Sequence, residues 1–131
     1  MKEIQNSYTF QITVSESDID LLNHVNNVQY LNWVQLAAIK HWTHLSTKEI
    51  DEKYVWVVAR HEIDYLSSAF LKDELIVKTW IGKTRGKISE RFVEFYKNEK
   101  LIVKVKTIWC IMDKSTMKSC IIPNEVLAIL D

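Results

Sequence analysis

Ser17-Asp18-Ile19-Asp20-Leu21-Leu22-Asn23-His24-Val25-Asn26-Asn27-Val28-Gln29-Tyr30-Leu31-Asn32-Trp33 decides how the rest of the chain is read. Two carboxylates, an imidazole and a group of carboxamides stand immediately ahead of a long amphipathic run. Asp, Asn and Ser favour turns and helix starts, where unpaired backbone N–H groups stabilise negative charge. A carboxylate, a His and a helix N-terminus in one stretch suit acid–base chemistry on a substrate that develops an oxyanion. The same residues fit a plainer role, with Asp20 or Asn23 capping the helix and His24 a hydrogen-bonded surface side chain.

Downstream of this cluster, Val28, Leu31, Val34, Ala38, Trp42 and Leu45 recur at spacings of three and four, which predicts one long helix. Ala37 and Ile39 widen its apolar face, so other elements are expected to wrap around it. Upstream, Tyr8, Phe10, Ile12 and Val14 alternate with polar residues as in a half-buried strand. Ser46 to Lys53 reads as a polar break. Beyond it come four strands, Tyr54 to Tyr65, Glu74 to Ile81, Ile88 to Tyr96 and Leu101 to Met112. Val103, Val105, Thr107, Trp109 and Ile111 share one face of the last strand, and Lys97-Asn98-Glu99-Lys100 reads as a hairpin turn. One strand, one helix and four strands make an α+β fold, a curved antiparallel sheet packed around a central helix.

The chain has 131 residues, 47% of them hydrophobic, enough for the core of a single domain. Its 17 basic and 17 acidic residues cancel, which argues against bulk attraction to nucleic acid or to an anionic membrane. No stretch approaches the roughly 20 apolar residues of a membrane span, and the opening residues lack a signal-peptide pattern, so a cytoplasmic protein is expected. Cys110 and Cys120 have no matching His cluster, so neither a metal nor another cofactor is expected, and Cys110 reads as core. Large apolar residues at both phases of the strands, as in Phe92-Val93 and Ile108-Trp109, predict a homo-oligomer, dimer or tetramer.

The string Asp18-x-Asp20-x-x-x-His24-Val25-Asn26-Asn27-x-x-Tyr30 resembles the signature of the hotdog-fold thioesterases, in the branch of 4-hydroxybenzoyl-CoA thioesterase-like and acyl-ACP thioesterase enzymes. The likeness continues through Glu62-Ile63-Asp64-Tyr65-Leu66-Ser67-Ser68-Ala69 and Lys72-Asp73-Glu74-Leu75 to Ile122-Pro123. It implies a hotdog fold over residues 1–131 and hydrolysis of an acyl-CoA or acyl-carrier-protein thioester. Asp20 takes the place of the catalytic carboxylate, as base or nucleophile. Asn27 falls where a backbone N–H polarises the carbonyl, and His24 matches the motif His. Tyr30 matches the motif Tyr, a mainly structural position, and Asn23, Asn26, Tyr30 and Trp33 complete the expected substrate surroundings. The chain departs from the plant acyl-ACP pattern at Leu22, in place of an Asn, and at Ser68, in place of a catalytic Glu. Asp20 is therefore the sole carboxylate that the resemblance supports.

Trp33 lies off the predicted helix stripe and is expected at an interface or pocket wall, whereas Trp42 lies on it and reads as core. Gly82-Lys83-Thr84-Arg85-Gly86-Lys87, with Arg91 beyond, forms a basic stretch that suits either CoA phosphates or a solvated turn. A second class of function, a non-catalytic module that binds acyl thioesters, needs only the same fold with the carboxylate as a cap.

Overall fold

Alternation along the strands becomes a six-stranded, wholly antiparallel sheet in the computed structural model, which describes residues 6–130. Its strands are β1 (Tyr8–Thr13), β2 (Tyr54–Tyr65), β3 (Glu74–Arg85), β4 (Ile88–Lys97), β5 (Lys100–Asp113) and a two-residue β6 (Lys118–Ser119). The order is β1-β3-β4-β5-β2, with β6 beside the end of β5. The curled sheet wraps the 19-residue helix α1 (Asn27–Leu45), the α+β hotdog arrangement. No helix among the described residues is long and apolar enough to cross a membrane.

The turns follow local chemistry. Asn98 and Glu99 both adopt positive φ, 48° and 67°, between the paired Lys97 and Lys100, as a two-residue type I′ hairpin requires. The β3–β4 register shifts between Ile81 and Thr84, and there Gly82 is required. A Cβ at that position would stand 2.5 Å from Cε2 of Phe92. A second shift, between Val58 and Arg60, changes which residues of β2 face inward. Trp56 faces inward before it, opposite Ile111, and His61 after it, opposite Thr107, where its Nδ1 lies 2.8 Å from the Thr107 hydroxyl.

Three short elements were not expected. Ser46 to Lys53 is a capped helix, α2 (Lys48–Lys53), with the Thr47 hydroxyl accepting from the N–H of Ile50. Its six residues span too few turns for a periodic signal. The others are β6 and the C-terminal helix α3 (Asn124–Leu130). Helices α2 and α3 close one end of the sheet, where Ile50, Ile111, Ile122, Val126 and Leu130 form a second apolar cluster.

Helix α1 is turned relative to its apolar pattern. Its buried residues are Tyr30, Trp33, Val34, Ala37, Ala38 and His41, whereas Val28 is 62% exposed. At 3.6 residues per turn the stripe is rotated by roughly 80°. Trp33 is core rather than pocket wall, packed against Tyr30 and Phe95, and Trp42 is only half-buried. The reason is that the two large rings bury more area than Val28 or Leu31, and Ala37 and Ala38 let the helix approach the sheet. Leu75, Val77, Val93, Phe95, Val103 and Val105 meet it from the sheet.

The rotation brings a polar residue, His41, into the interior. Its Nδ1 lies 2.9 Å from Nη1 of the buried Arg91, and since a guanidinium only donates, the imidazole is neutral with its proton on Nε2. Burial, then the Arg91 charge and His44, push its pKa down to about 4. The folded value lies below that of the unfolded chain, so acid protonates the unfolded chain first. The stability is complete above about pH 6.5 and is lost as pH falls toward 4, by on the order of 1–3 kcal/mol. Urea midpoints should fall more steeply from pH 6.5 to 4 in the wild type than in His41→Asn, which keeps an acceptor but takes up no proton. Equal slopes would remove His41 from the acid response.

Candidate active site

The cluster ahead of α1 is a folded loop whose two carboxylates have different jobs. Asp18 is 7% exposed. Its Oδ2 accepts from the backbone N–H and the hydroxyl of Ser15 at 2.8 and 3.0 Å, and its Oδ1 accepts from the side-chain amide of Gln29 on α1 at 2.8 Å. Its backbone carbonyl accepts from the N–H of Asn26 at 2.8 Å. Asp18 thus fastens the loop to the first turn of the helix, and both of its oxygens are occupied.

Asp20 stands at the mouth of a tight reversal. Ile19 pairs with Val25, the Asp20 N–H donates to the His24 carbonyl at 2.9 Å, and the Asn23 N–H donates to the Asp20 carbonyl at 3.0 Å. Asn23 has φ 64°, a conformation Asn tolerates better than most residues, so it acts as the pivot. Oδ1 of Asp20 accepts from the Leu22 N–H at 2.8 Å, and its other oxygen takes no bond from the described residues. Leu21 and Leu22, at the tip, are 101% and 71% exposed.

His24 is held by backbone pairing with Phe70 and by an edge-on ring contact at 5.2 Å. Its Nδ1 lies 3.4 Å from the Ser68 hydroxyl. Ser68, the position that departs from the plant pattern, is therefore beside the motif His. Ser68 borders a depression of about 330 Å³ lined also by Ser67, Phe70, Lys97, Asn98, Lys100 and Ile102. Lys97 in its wall pairs with Asp73 at 2.6 Å.

At the helix start, Asn26 is the N-cap, its Oδ1 accepting from the Val28 N–H at 2.8 Å. The N–H of Asn27 has no acceptor among the described residues, which leaves a backbone donor at the positive end of α1. Tyr65, from the far end of β2, donates its hydroxyl to the Asn27 carbonyl at 3.3 Å. Nothing in the motif string pointed to Tyr65, because only the pairing of β2 with β5 brings it to the helix.

Tyr30 and Trp33 lie behind this surface, 2% and 6% exposed. The Tyr30 hydroxyl is buried without a partner, and burial, then Tyr65 and Asp73, push its pKa up to about 12, so it stays neutral. The basic stretch is divided. Lys83, Arg85 and Lys87 are exposed near the β3–β4 turn, at the opposite end of β3 from Asp73, whose carbonyl holds Val14 at the start of the Asp20 loop. Arg91 belongs to none of this and lies inside the sheet. Cys110 and Cys120 are half-buried free thiols. No group of three or more His, Cys, Asp or Glu side chains among the described residues is arranged to hold a metal ion.

Comparison with known proteins agrees with this architecture. The profile of the Thioesterase-like superfamily matches residues 14–130. Acyl-CoA thioesterase YbgC of Haemophilus influenzae is 25% identical over 129 residues, 95% of each chain. A predicted thioesterase from Bacillus stearothermophilus superposes with a TM-score of 0.86 at 19% identity, covering 95% of this chain and 93% of that one. Slr0204, a 1,4-dihydroxy-2-naphthoyl-CoA thioesterase from Synechocystis, gives 0.81 at 19% identity over 95% of both chains. A sheet curled around one helix thus recurs in proteins of one kind, and the chain belongs to the Thioesterase-like superfamily, with the hotdog fold.

Proposed function

We propose that the chain hydrolyses an acyl-CoA or acyl-carrier-protein thioester at the surface formed by Asp20 and the N-terminus of α1. The observation that carries this is the pairing of an acidic side chain having a free oxygen with an unpartnered backbone N–H, both supplied within one short loop. Asp20 activates water, or itself attacks the thioester carbonyl to form an anhydride that water then opens. In either route the carbonyl oxygen gains negative charge, which the Asn27 N–H and the helix dipole stabilise. The C–S bond breaks, the thiolate leaves and the acyl group ends as a free acid. A thiolate is a good leaving group, so no strong general acid is required.

The remaining residues position the reaction. Asn23 supplies the left-handed pivot and Asn26 the cap. His24, beside Ser68, orients water or the substrate. Tyr30 and Trp33 set the helix in place from behind. Leu21, Leu22 and Val28 offer exposed apolar surface to an acyl chain or to a second subunit. A homo-oligomer follows from the same geometry, because β2 is a twelve-residue edge strand with unpaired backbone groups along its free side.

Asp20→Asn retains the acceptor for the Leu22 N–H, so it should melt like the wild type. It should nonetheless lose at least about a hundredfold in thiol release from acyl-CoA. Asp18→Ala should do the reverse in kind, costing about 1–3 kcal/mol of stability through the donors it strands. Unchanged turnover in Asp20→Asn would remove this carboxylate from the mechanism, and acyl-CoA binding without thiol release in the wild type would make the chain a binding module. Light scattering after gel filtration should give at least a dimer at micromolar concentrations, and a monomer throughout that range refutes the assembly.

A further inference from the structure

Arg91 is 6% exposed on the inner face of β4, in the wall of a cavity of about 280 Å³ between the sheet and the C-terminal half of α1. Arginine is almost never buried without an anionic partner, because desolvating its charge is costly. Here its neighbours are neutral. Nη1 donates to the Thr79 hydroxyl at 3.0 Å and to Nδ1 of His41 at 2.9 Å. Ion pairs among the described residues lie elsewhere, and none involves Arg91. Its Nε and Nη2 hydrogens have no acceptor among those residues.

Trp109 also lines the cavity, with its own Nε1 buried out of reach of it and without a hydrogen-bond partner. Trp42, Trp56 and Ile81 make the surrounding walls apolar. Asp51, also in the wall, is already engaged, its Oδ1 accepting from Nε1 of Trp42 and the Ser46 hydroxyl. A buried cation with free donors in an apolar, tryptophan-rich chamber calls for a group that only accepts and carries negative charge.

We propose that this cavity is a binding site for an organic carboxylate with an apolar body, its oxygens held by the free N–H groups of Arg91 and its body seated against Trp42, Trp56 and Trp109. The site is distinct from Asp20 within the chain. It meets α1 at Ala38, eleven residues beyond Asn27, or about 16 Å along the helix, with the packed Tyr30, Trp33, Val34 and Ala37 between. A thioester has no carboxylate at its reacting carbon, so the site selects acids over their thioesters.

The test is calorimetric titration of the full chain at pH 7 with 2-naphthoate, dodecanoate and the neutral 2-naphthamide. Because it reads binding without turnover, it stands or falls separately from thioester hydrolysis. The naphthoate should bind about ten- to a hundredfold more tightly than the amide. Asp20→Asn should bind it as the wild type does, and Arg91→Met should erase the preference for the acid. Should Arg91→Met fold poorly, the acid–amide comparison in the wild type and in Asp20→Asn decides alone. No binding of either acid at millimolar concentration, equal binding of acid and amide, or loss of binding in Asp20→Asn would each overturn the proposal.

Discussion

Both oxygens of the Asp18 carboxylate are spent on joining the pre-helical loop to α1, through Ser15 on one side and Gln29 on the other. The proposed chemistry depends on that junction. Hydrogen bonds to a charged acceptor are stronger than neutral ones, and these span the point where an irregular segment must meet a rigid helix. With the loop fixed there, the reversal from Asp20 to His24 has a defined position above the helix start. The same short segment then carries a carboxylate free at one oxygen and, at the first residue of α1, an unpartnered backbone N–H.

The helix beneath is divided along its length. Its first half is anchored by Tyr30, Trp33, Val34 and Ala37 against fully buried strand residues such as Val77, Val93 and Phe95, each contributing about 1.5–3 kcal/mol. Its second half meets a polar interior, with His41, Thr79 and Arg91 joined by hydrogen bonds. A rigid apolar half behind the active-site loop suits a site that depends on fixed donors. Where the core turns polar, the sheet and helix separate enough to leave a cavity rather than a packed interior.

Short elements do much of the closing. Helices α2 and α3 cover one end of the sheet and, with Ile111 and Ile122, build the second apolar cluster. The edges are left open on the long side, at β1 and β2. Tyr65, at the end of the β2 edge, touches the helix start, so any partner strand laid along β2 would lie close to the proposed catalytic surface.

By itself the sequence determined the strand alternation, the one long helix, the hairpin at Asn98 and the motif that marks the loop, because each is written in neighbouring residues. Local chemistry left both carboxylates open, and only the resemblance to the thioesterase motif put Asp20 ahead of Asp18 as the candidate. Only the tertiary structure decided which face of α1 is buried: Trp33 went in and Val28 out because the rings bury more area, a competition that spacing alone does not register. Only it joined residues distant in sequence, Tyr65 to Asn27, Ser68 to His24 and Arg91 to His41. Arg91 shows the reason most clearly. In sequence it follows a basic turn and reads as surface charge, but the phase of β4 aims it inward, and the side a strand residue faces is set by what the sheet curls around.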